Sequence, residues 1–499
     1  MLAAAVLDDL LTLPRWLVEL VFVVYVATIT GFVLLERRKP AATLAWLLVL
    51  VFLPLFGTLA YLAFGRQRVR RRRRRRRKRG FNPTDTTRKM ANVEHLPTSL
   101  SPSSRGLVRL ALETSAAPLR RADHVELMAS PDTSLEALEQ AIRNARRTIH
   151  MEFYIWNDDE ISQRVTALLT QRAQAGVRVR IIYDHWGSIG LDGNHFSELR
   201  QAGGRIVAYG RLLLPIRFAR SRANFRNHRK IVIVDQSVGF MGGINMANDY
   251  LGSGQHARWR DLLVKLEGDA VLGLEATFAE DWLESTDERI DLQPEQLELD
   301  IDTPLVVPTP MSSAGPLVQI IPSGPDLELG SSIVAQFLAA IMSAQDRCYI
   351  ATPYFILDEV LTIAVKTAAM RGVDVRVLIP DPSKSDAKLV AWASRSYYDE
   401  LQEAGCRIFE YLPGMFHAKY MVVDDGLSAI GSANMDIRSF YLNYEVTAMF
   451  YDRQVTADLA ELFQADQLRS REITPDIRQN MPLGARLGEG FARLLSPLL

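Results

Sequence analysis

The chain has 499 residues, enough to bury more than one core, and its 58 Lys and Arg balance 58 Asp and Glu. Bulk charge therefore singles out no partner. Two cysteines, Cys348 and Cys406, exclude a disulfide framework, show no metal spacing and fit a reducing compartment.

Along the chain, Trp16 to Leu35 is apolar apart from Glu19, and Ala41 to Phe64 carries no charge. Each run is long enough to cross a bilayer as a helix. The start MLAAAVLDDL has two acids where a signal peptide has a basic region, and a second apolar run follows at once. Residues 1–65 therefore read as a transmembrane helical hairpin with spans at about 16–35 and 41–64. A dense basic cluster, Arg66 to Arg79, comes next. So many like charges cannot pack, and beside a span each gains about 1 kcal/mol at an anionic lipid surface. The excess of Lys and Arg there places both termini in the cytoplasm and the short ERRKP loop outside. The stretch to Ser104 (NPTDTT, LPTSLSPSS) completes a flexible linker, 66–104.

Beyond it the chain repeats itself over two domain-sized copies, 105–285 and 317–475, joined by a Pro-rich linker, 286–316. VELMASPD and VQIIPSGPD each lead into a helix-like stretch. Strand-like IHMEFYI and CYIATPYFI follow, then helices stopped at Gly176 and Gly372 before alternating apolar strands. Asp132 and Asp326, Gly176 and Gly372, His228 and His417 keep nearly constant offsets. Strands alternating with helices in each copy predict two α/β sandwich domains related by a pseudo-twofold axis. The tail, 476–499, is amphipathic. Its Leu487, Phe491, Leu494 and Leu495 share a helical face that fits either a second membrane contact or packing on the domain.

The copies share one chemical frame. NHRKIVIVD holds His228, Lys230 and Asp235; FHAKYMVVD holds His417, Lys419 and Asp424 with the same spacing, and Asn245 and Asn434 stand downstream in GGIN and GSAN. Two imidazoles meeting across the axis can divide nucleophile and proton donor between them, a pairing suited to phosphoryl transfer. The lysines would supply charge to nonbridging oxygens, and the asparagines would donate to the same oxygens or hold the lysines. Each imidazole needs an acceptor on its other nitrogen; Asp261 in RWRDLL and Glu445 in NYEV are the candidates, each with a salt-bridge reading beside it. Asp235 and Asp424, at the far ends of their strands, read as loop braces. A metal site is disfavoured because His-x-Lys puts a cation beside any ligand, and no nucleotide loop is present, so no metal or cofactor is expected.

The paired HxKxxxxD frames with their GG and GS segments resemble the phospholipase D superfamily. RRKPAATLAWLLVLVFLPLFGTLAYLAFG, GGINMANDYLG, WRD, NMDIRSFYLNYE and ARLLSPLL are similar, more narrowly, to bacterial cardiolipin synthases. The resemblance covers nearly the whole chain and implies two phospholipase D-like domains behind a membrane hairpin. It implies a multi-pass enzyme of the bacterial inner membrane, with its catalytic domains on the cytoplasmic side. Its activity would be transfer of a phosphatidyl group from one phosphatidylglycerol to another, releasing glycerol, without metal or nucleic acid. By the same resemblance His228, Lys230 and Asp235 with His417, Lys419 and Asp424 form the catalytic set, with Asn245, Asn434, Asp261 and Glu445 supporting. His228 would carry the covalent phosphatidyl group and His417 act as acid and base. Tyr420 departs from the family, which often has a small or hydroxyl residue after the lysine. A hydrolase of the same superfamily or another phosphatidyltransferase is the alternative, and a membrane-tethered nuclease a more distant one.

Overall fold

The computed structural model describes residues 14–35, 40–61, 96–97, 100–210, 225–251, 259–290, 315–325 and 332–496. The basic cluster Arg66–Arg79, the connector to residue 95 and most of the linker between the copies, 291–314, lie outside the described residues. The chain forms two compact units, an N-terminal helical one and the main body.

In the N-terminal unit the first apolar run is one helix, Arg15–Leu35, and the second is two, Pro40–Phe52 and Pro54–Ala60. Pro54 has no N–H for the Leu50 carbonyl, and Leu53 leaves the helical region (φ −130°, ψ 65°). The Tyr25 hydroxyl lies 3.2 Å from that carbonyl, 3.1 Å from Pro54 O and 2.7 Å from Thr58 Oγ1, tying the first helix to the break. Gly57 permits the chain to fold back there, since a Cβ would collide with the Val49 carbonyl. The single span expected at 41–64 is thus corrected to a broken one. Among the described residues no helix is long and apolar enough to cross a membrane. The uncharged part of the first helix, Leu20 to Leu35, reaches about 24 Å at 1.5 Å per residue, short of the hydrocarbon thickness.

The main body begins with helix Pro102–Ser115 and then alternates strands and helices. The strands are β1 (Arg120–Arg121), β2 (His124–Met128), β3 (Thr148–Phe153), β4 (Arg178–Asp184), β5 (Arg205–Tyr209), β6 (Ile231–Val234), β7 (Val238–Gly242) and β8 (Leu263–Glu267). After helix Val271–Thr286 come β9 (Leu317–Ser323), β10 (Arg347–Ala351), β11 (Phe355–Ile356), β12 (Asp374–Pro380), β13 (Arg407–Tyr411), β14 (Tyr420–Val423), β15 (Leu427–Gly431), β16 (Met435–Asp436), β17 (Glu445–Phe450) and β18 (Ser470–Ile473).

One sheet has the order β2-β8-β7-β6-β3-β4-β5; the other, β1-β9-β17-β15-β14-β10-β12-β13-β18, repeats that order with one extra strand at each edge. In each the three strands joined through helices are parallel, the rest antiparallel. Helices Glu160–Gln174 and Glu359–Met370 follow β3 and β11. Asp159 and Asp358 cap them at the N-terminus, and Gly176 (φ +90°) and Gly372 (φ +91°) turn the chain just beyond their ends. The repeat read from the sequence is therefore a mixed α/β fold.

Strand periodicity sorts the core into layers. Ile231 and Ile233 of β6 face a central core, Val232 and Val234 the outer helices of the first half. On β14, Tyr420 and Val422 face the same central core, Met421 and Val423 the outer helices of the second half. Phe278 of helix Val271–Thr286 and Phe463 of helix Arg453–Gln467 fill the layer between the sheets. One element departs from the sequence reading: helix Pro102–Ser115 buries Leu107, Val108 and Ala111 against Phe337 and Ile341, and β1 pairs with β9. The start of the first copy as read from the sequence, 105–121, thus belongs spatially to the second.

Candidate functional site

Each histidine sits on a short arm leading into a central strand, and each arm is bridged to the other half. Asn227 pairs with Tyr444, and His228 N donates to Tyr444 O at 2.9 Å. Phe416 pairs with Arg260, and His417 N donates to Arg260 O at 2.7 Å. Because Tyr444 and Arg260 immediately precede Glu445 and Asp261, the bridges deliver each acid to the opposite half's imidazole. His228 Nδ1 lies 2.9 Å from both Glu445 oxygens, and His417 Nδ1 lies 2.7 Å from Asp261 Oδ2. Both acids are fully buried. With Nδ1 engaged, His228 keeps Nε2 for chemistry, while His417 Nε2 lies 3.0 Å from the Lys419 ammonium.

The lysines fold back on their own arms. Lys230 Nζ donates to His228 O at 2.6 Å. Lys419 Nζ donates to His417 O at 2.5 Å and lies 2.9 and 3.0 Å from the two ring nitrogens of His417. Asp235 and Asp424 stand at the other ends of β6 and β14, about 13 Å along the strand. Their carboxylates accept the backbone N–H groups of Arg146, Arg147 and Thr148, and of Gln345, Asp346 and Arg347. They pin β3 and β10 in register and touch no group of the histidine cluster. Neither asparagine bonds to a lysine: Asn245 Oδ1 accepts from Ile155 N, and Asn434 Nδ2 donates to Asp436. The Asn434 oxygen is buried without a partner.

A family profile described as "Cardiolipin synthase, PLD-like domain" matches residues 138–282 and 337–467, and one described as "Phospholipase D-nuclease N-terminal" matches 20–66. The cardiolipin synthase of Geobacillus kaustophilus is 38% identical over 481 residues, 96% of this chain and 92% of its own. The chain belongs to the phospholipase D-like cardiolipin synthases. With that family it is a phosphatidyltransferase. The cardiolipin synthase of Halalkalibacterium halodurans is 36% identical over 494 residues, 97% of this chain and 95% of its own. The crystal structure of phosphatidylserine synthase from Haemophilus influenzae covers 79% of this chain and 100% of its own at TM-score 0.59 and 16% identity, a likeness of fold.

Electrostatics prepare the synthase's imidazoles to be neutral. Burial pushes His228 down to about 4, with Glu445 opposing and Lys230 adding to the fall. Burial likewise takes His417 to about 3, helped by Lys419 and resisted by Asp261. Each imidazole also feels the lysine of the other half, so the two half-sites form one electrostatic cluster. Burial lowers Lys419 to about 8 despite Asp261 and Glu445, and lowers Lys230 strongly. For Glu445, burial would raise the pKa but His228, Lys230 and the Ser432 hydroxyl outweigh it and hold the carboxylate charged. Among the described residues no group of three or more His, Cys, Asp or Glu is placed to hold a metal ion.

Several neighbours escaped the sequence reading. The Tyr154 ring stands edge-on to His228 at 4.9 Å, and Tyr250 and Trp259 each lie 5.2 Å from His417. Arg229, between His228 and Lys230, crosses into the second half, where Nε reaches Glu445 O at 3.0 Å and Nη2 reaches Ser323 O at 3.1 Å, while Nη1 pairs with Asp281 of its own half. Its place inside the motif was the available signal. Tyr420 packs in the central core beside Phe463, turned away from the outer helices.

Proposed function

We propose that two phosphatidylglycerol molecules exchange a phosphatidyl group across the crossed histidine pairs. His228 Nε2 attacks phosphorus and a P–N bond forms while the P–O bond to glycerol breaks. His417, protonated, gives its proton to the departing glycerol oxygen. In the second half-reaction neutral His417 takes the proton from a hydroxyl of the second phosphatidylglycerol. That oxygen attacks phosphorus, the P–N bond breaks, and cardiolipin leaves. One phosphodiester replaces another, so no triphosphate is needed.

The crossed His–acid pairs carry this reading. They support a single shared centre, because each imidazole is paired with a carboxylate of the other half and each carboxylate favours a proton on the Nδ1 it faces. A neutral His228 is ready to attack, and an arriving phosphodiester anion raises the pKa of His417 towards its working range. Lys230 and Lys419, held on the carbonyls of their own arms, can turn to the nonbridging oxygens as charge gathers there.

The substrate reading also gives the N-terminal unit a role. Its outward Leu20, Val21, Val23, Val24, Leu34, Leu35, Leu44, Phe52 and Phe56 suit a hydrocarbon surrounding. Those faces and the basic cluster after them support a helical unit held in the membrane, with the main body on the cytoplasmic, Arg-rich side. Purified protein given phosphatidylglycerol vesicles should release cardiolipin and glycerol in equal amounts; phosphatidic acid as sole product would overturn the transferase assignment.

A further inference from the structure

The last described helix, Leu483–Leu495, is built inside out. Its Glu489 is 5% exposed and paired with buried Arg478 at 2.9 Å, and Ala492 is fully covered. Arg493 is tied to Ser396 O and Glu400. Outward, Leu483, Leu487, Phe491 and Leu494 are 72, 66, 62 and 77% exposed. At helical spacing these four share one face, with Arg486 on its flank. Helix Lys388–Arg395 extends the surface: a Cβ on Gly488 would stand 3.6 Å from the Trp392 ring, and Leu389, Trp392 and Lys388 are exposed beside it. A helix that buries its ion pairs and presents its leucines is built for an apolar surrounding.

The segment leading into that surface is linked electrostatically to the candidate site. Just before helix Lys388–Arg395, Asp386 accepts the Tyr354 hydroxyl at 2.8 and 2.9 Å, and its charge is felt at Lys419. Ser394 Oγ of the same helix accepts Phe355 N at 3.2 Å.

We propose that helices Lys388–Arg395 and Leu483–Leu495 form a bilayer-docking face of the main body, occupied by the headgroup and upper acyl region of an anionic phospholipid membrane. The inference rests on the lipid substrate proposed above. Three features select this occupant. A tryptophan at the rim matches the interfacial layer, exposed Lys384, Lys388 and Arg486 complement anionic phosphates, and a doubly acylated substrate must be met at the bilayer. Docking there holds the His417 half of the site against the membrane, shortening the distance each lipid is drawn from the layer.

The test uses the full chain in vesicles of phosphatidylglycerol and phosphatidylcholine. Cys348 and Cys406 are buried, so a polarity-sensitive dye on Phe491→Cys reports that position. Its emission should shift to the blue, be quenched by nitroxides on the lipid and be shielded from aqueous iodide. A dye on Glu461→Cys, on helix Arg453–Gln467, should do none of these. Equal iodide quenching with and without vesicles overturns the proposal. So does shielding from iodide without lipid quenching, which would assign the face to a protein partner or a second copy. In Leu487→Gln/Phe491→Gln the apparent KM for vesicle lipid should rise about tenfold with kcat within twofold, the signature of lost surface binding; unchanged KM counts against docking. Failure of the wild type to make cardiolipin would strike the proposed reaction alone, because the dye measurement needs no turnover.

Discussion

His228 faces a glutamate reached by three side-chain donors: the imidazole, Ser432 Oγ at 2.6 Å and Asn443 Nδ2 at 3.2 Å. His417 faces an aspartate whose further donor is its neighbour's backbone, Leu262 N at 2.7 Å. At the position of Ser432 the first half has Gly243, where a Cβ would collide with the Asp261 carboxylate. One backbone plan thus holds two acids differently. A carboxylate saturated with donors keeps its charge and favours one tautomer, which suits the attacking role proposed for His228. A less occupied carboxylate can strengthen its bond as the imidazole charges, which suits acid and base work.

The sharpest way to break this comparison is to remove each ring in turn. His228→Ala and His417→Ala should both fold and both lose turnover of phosphatidylglycerol by at least about 10⁴-fold. A phosphatidyl ester of nitrophenol needs no proton on its leaving group. On it His417→Ala should keep a burst of nitrophenolate and His228→Ala should not; the opposite pattern exchanges the roles. Next in size, Glu445→Gln and Asp261→Asn should each cost about 10²- to 10⁴-fold in kcat. Glu445→Gln should suppress the burst and Asp261→Asn spare it.

Lys419 offers a titration. Its ammonium, lowered to about 8, is charged below that pH and neutral above, so kcat should fall as pH rises through about 8. Lys419→Arg should move that limb upward if it retains activity. Ser432→Ala removes one donor from Glu445 and should cost about tenfold in kcat, roughly one hydrogen bond to a charged group. The smallest effect on rate belongs to the strand-end aspartates. Asp235→Ala and Asp424→Ala should lower stability by about 2–4 kcal/mol in denaturant melts, since each frees three N–H groups, while kcat of the folded fraction holds.

The sequence made the histidine frames legible because their spacing is local and repeated. Gly176 and Gly372 were readable for the same reason: a positive φ demands glycine at one position. Which acid serves which histidine was not readable. It depends on the bridges Asn227 to Tyr444 and Arg260 to Phe416, which join residues far apart in the chain and carry no spacing signal. Asp261 and Glu445 could be nominated, but their exchange between halves could not. Pro54 was visible in the second apolar run, yet hydropathy averages over it. Helix Pro102–Ser115 was misplaced because adjacency in sequence implied adjacency in space.

That helix also sets an order of assembly. Ala117, just past its end, gives its carbonyl to Gln319, 202 residues later, at 2.7 Å. At 5–20 residues per second a ribosome needs roughly 10–40 s to supply that partner. Throughout that interval Leu107, Val108 and Ala111 lack the second-half side chains, Phe337 and Ile341 among them, that bury them in the finished fold. The late closure of this helix couples completion of the C-terminal sheet to the beginning of the body.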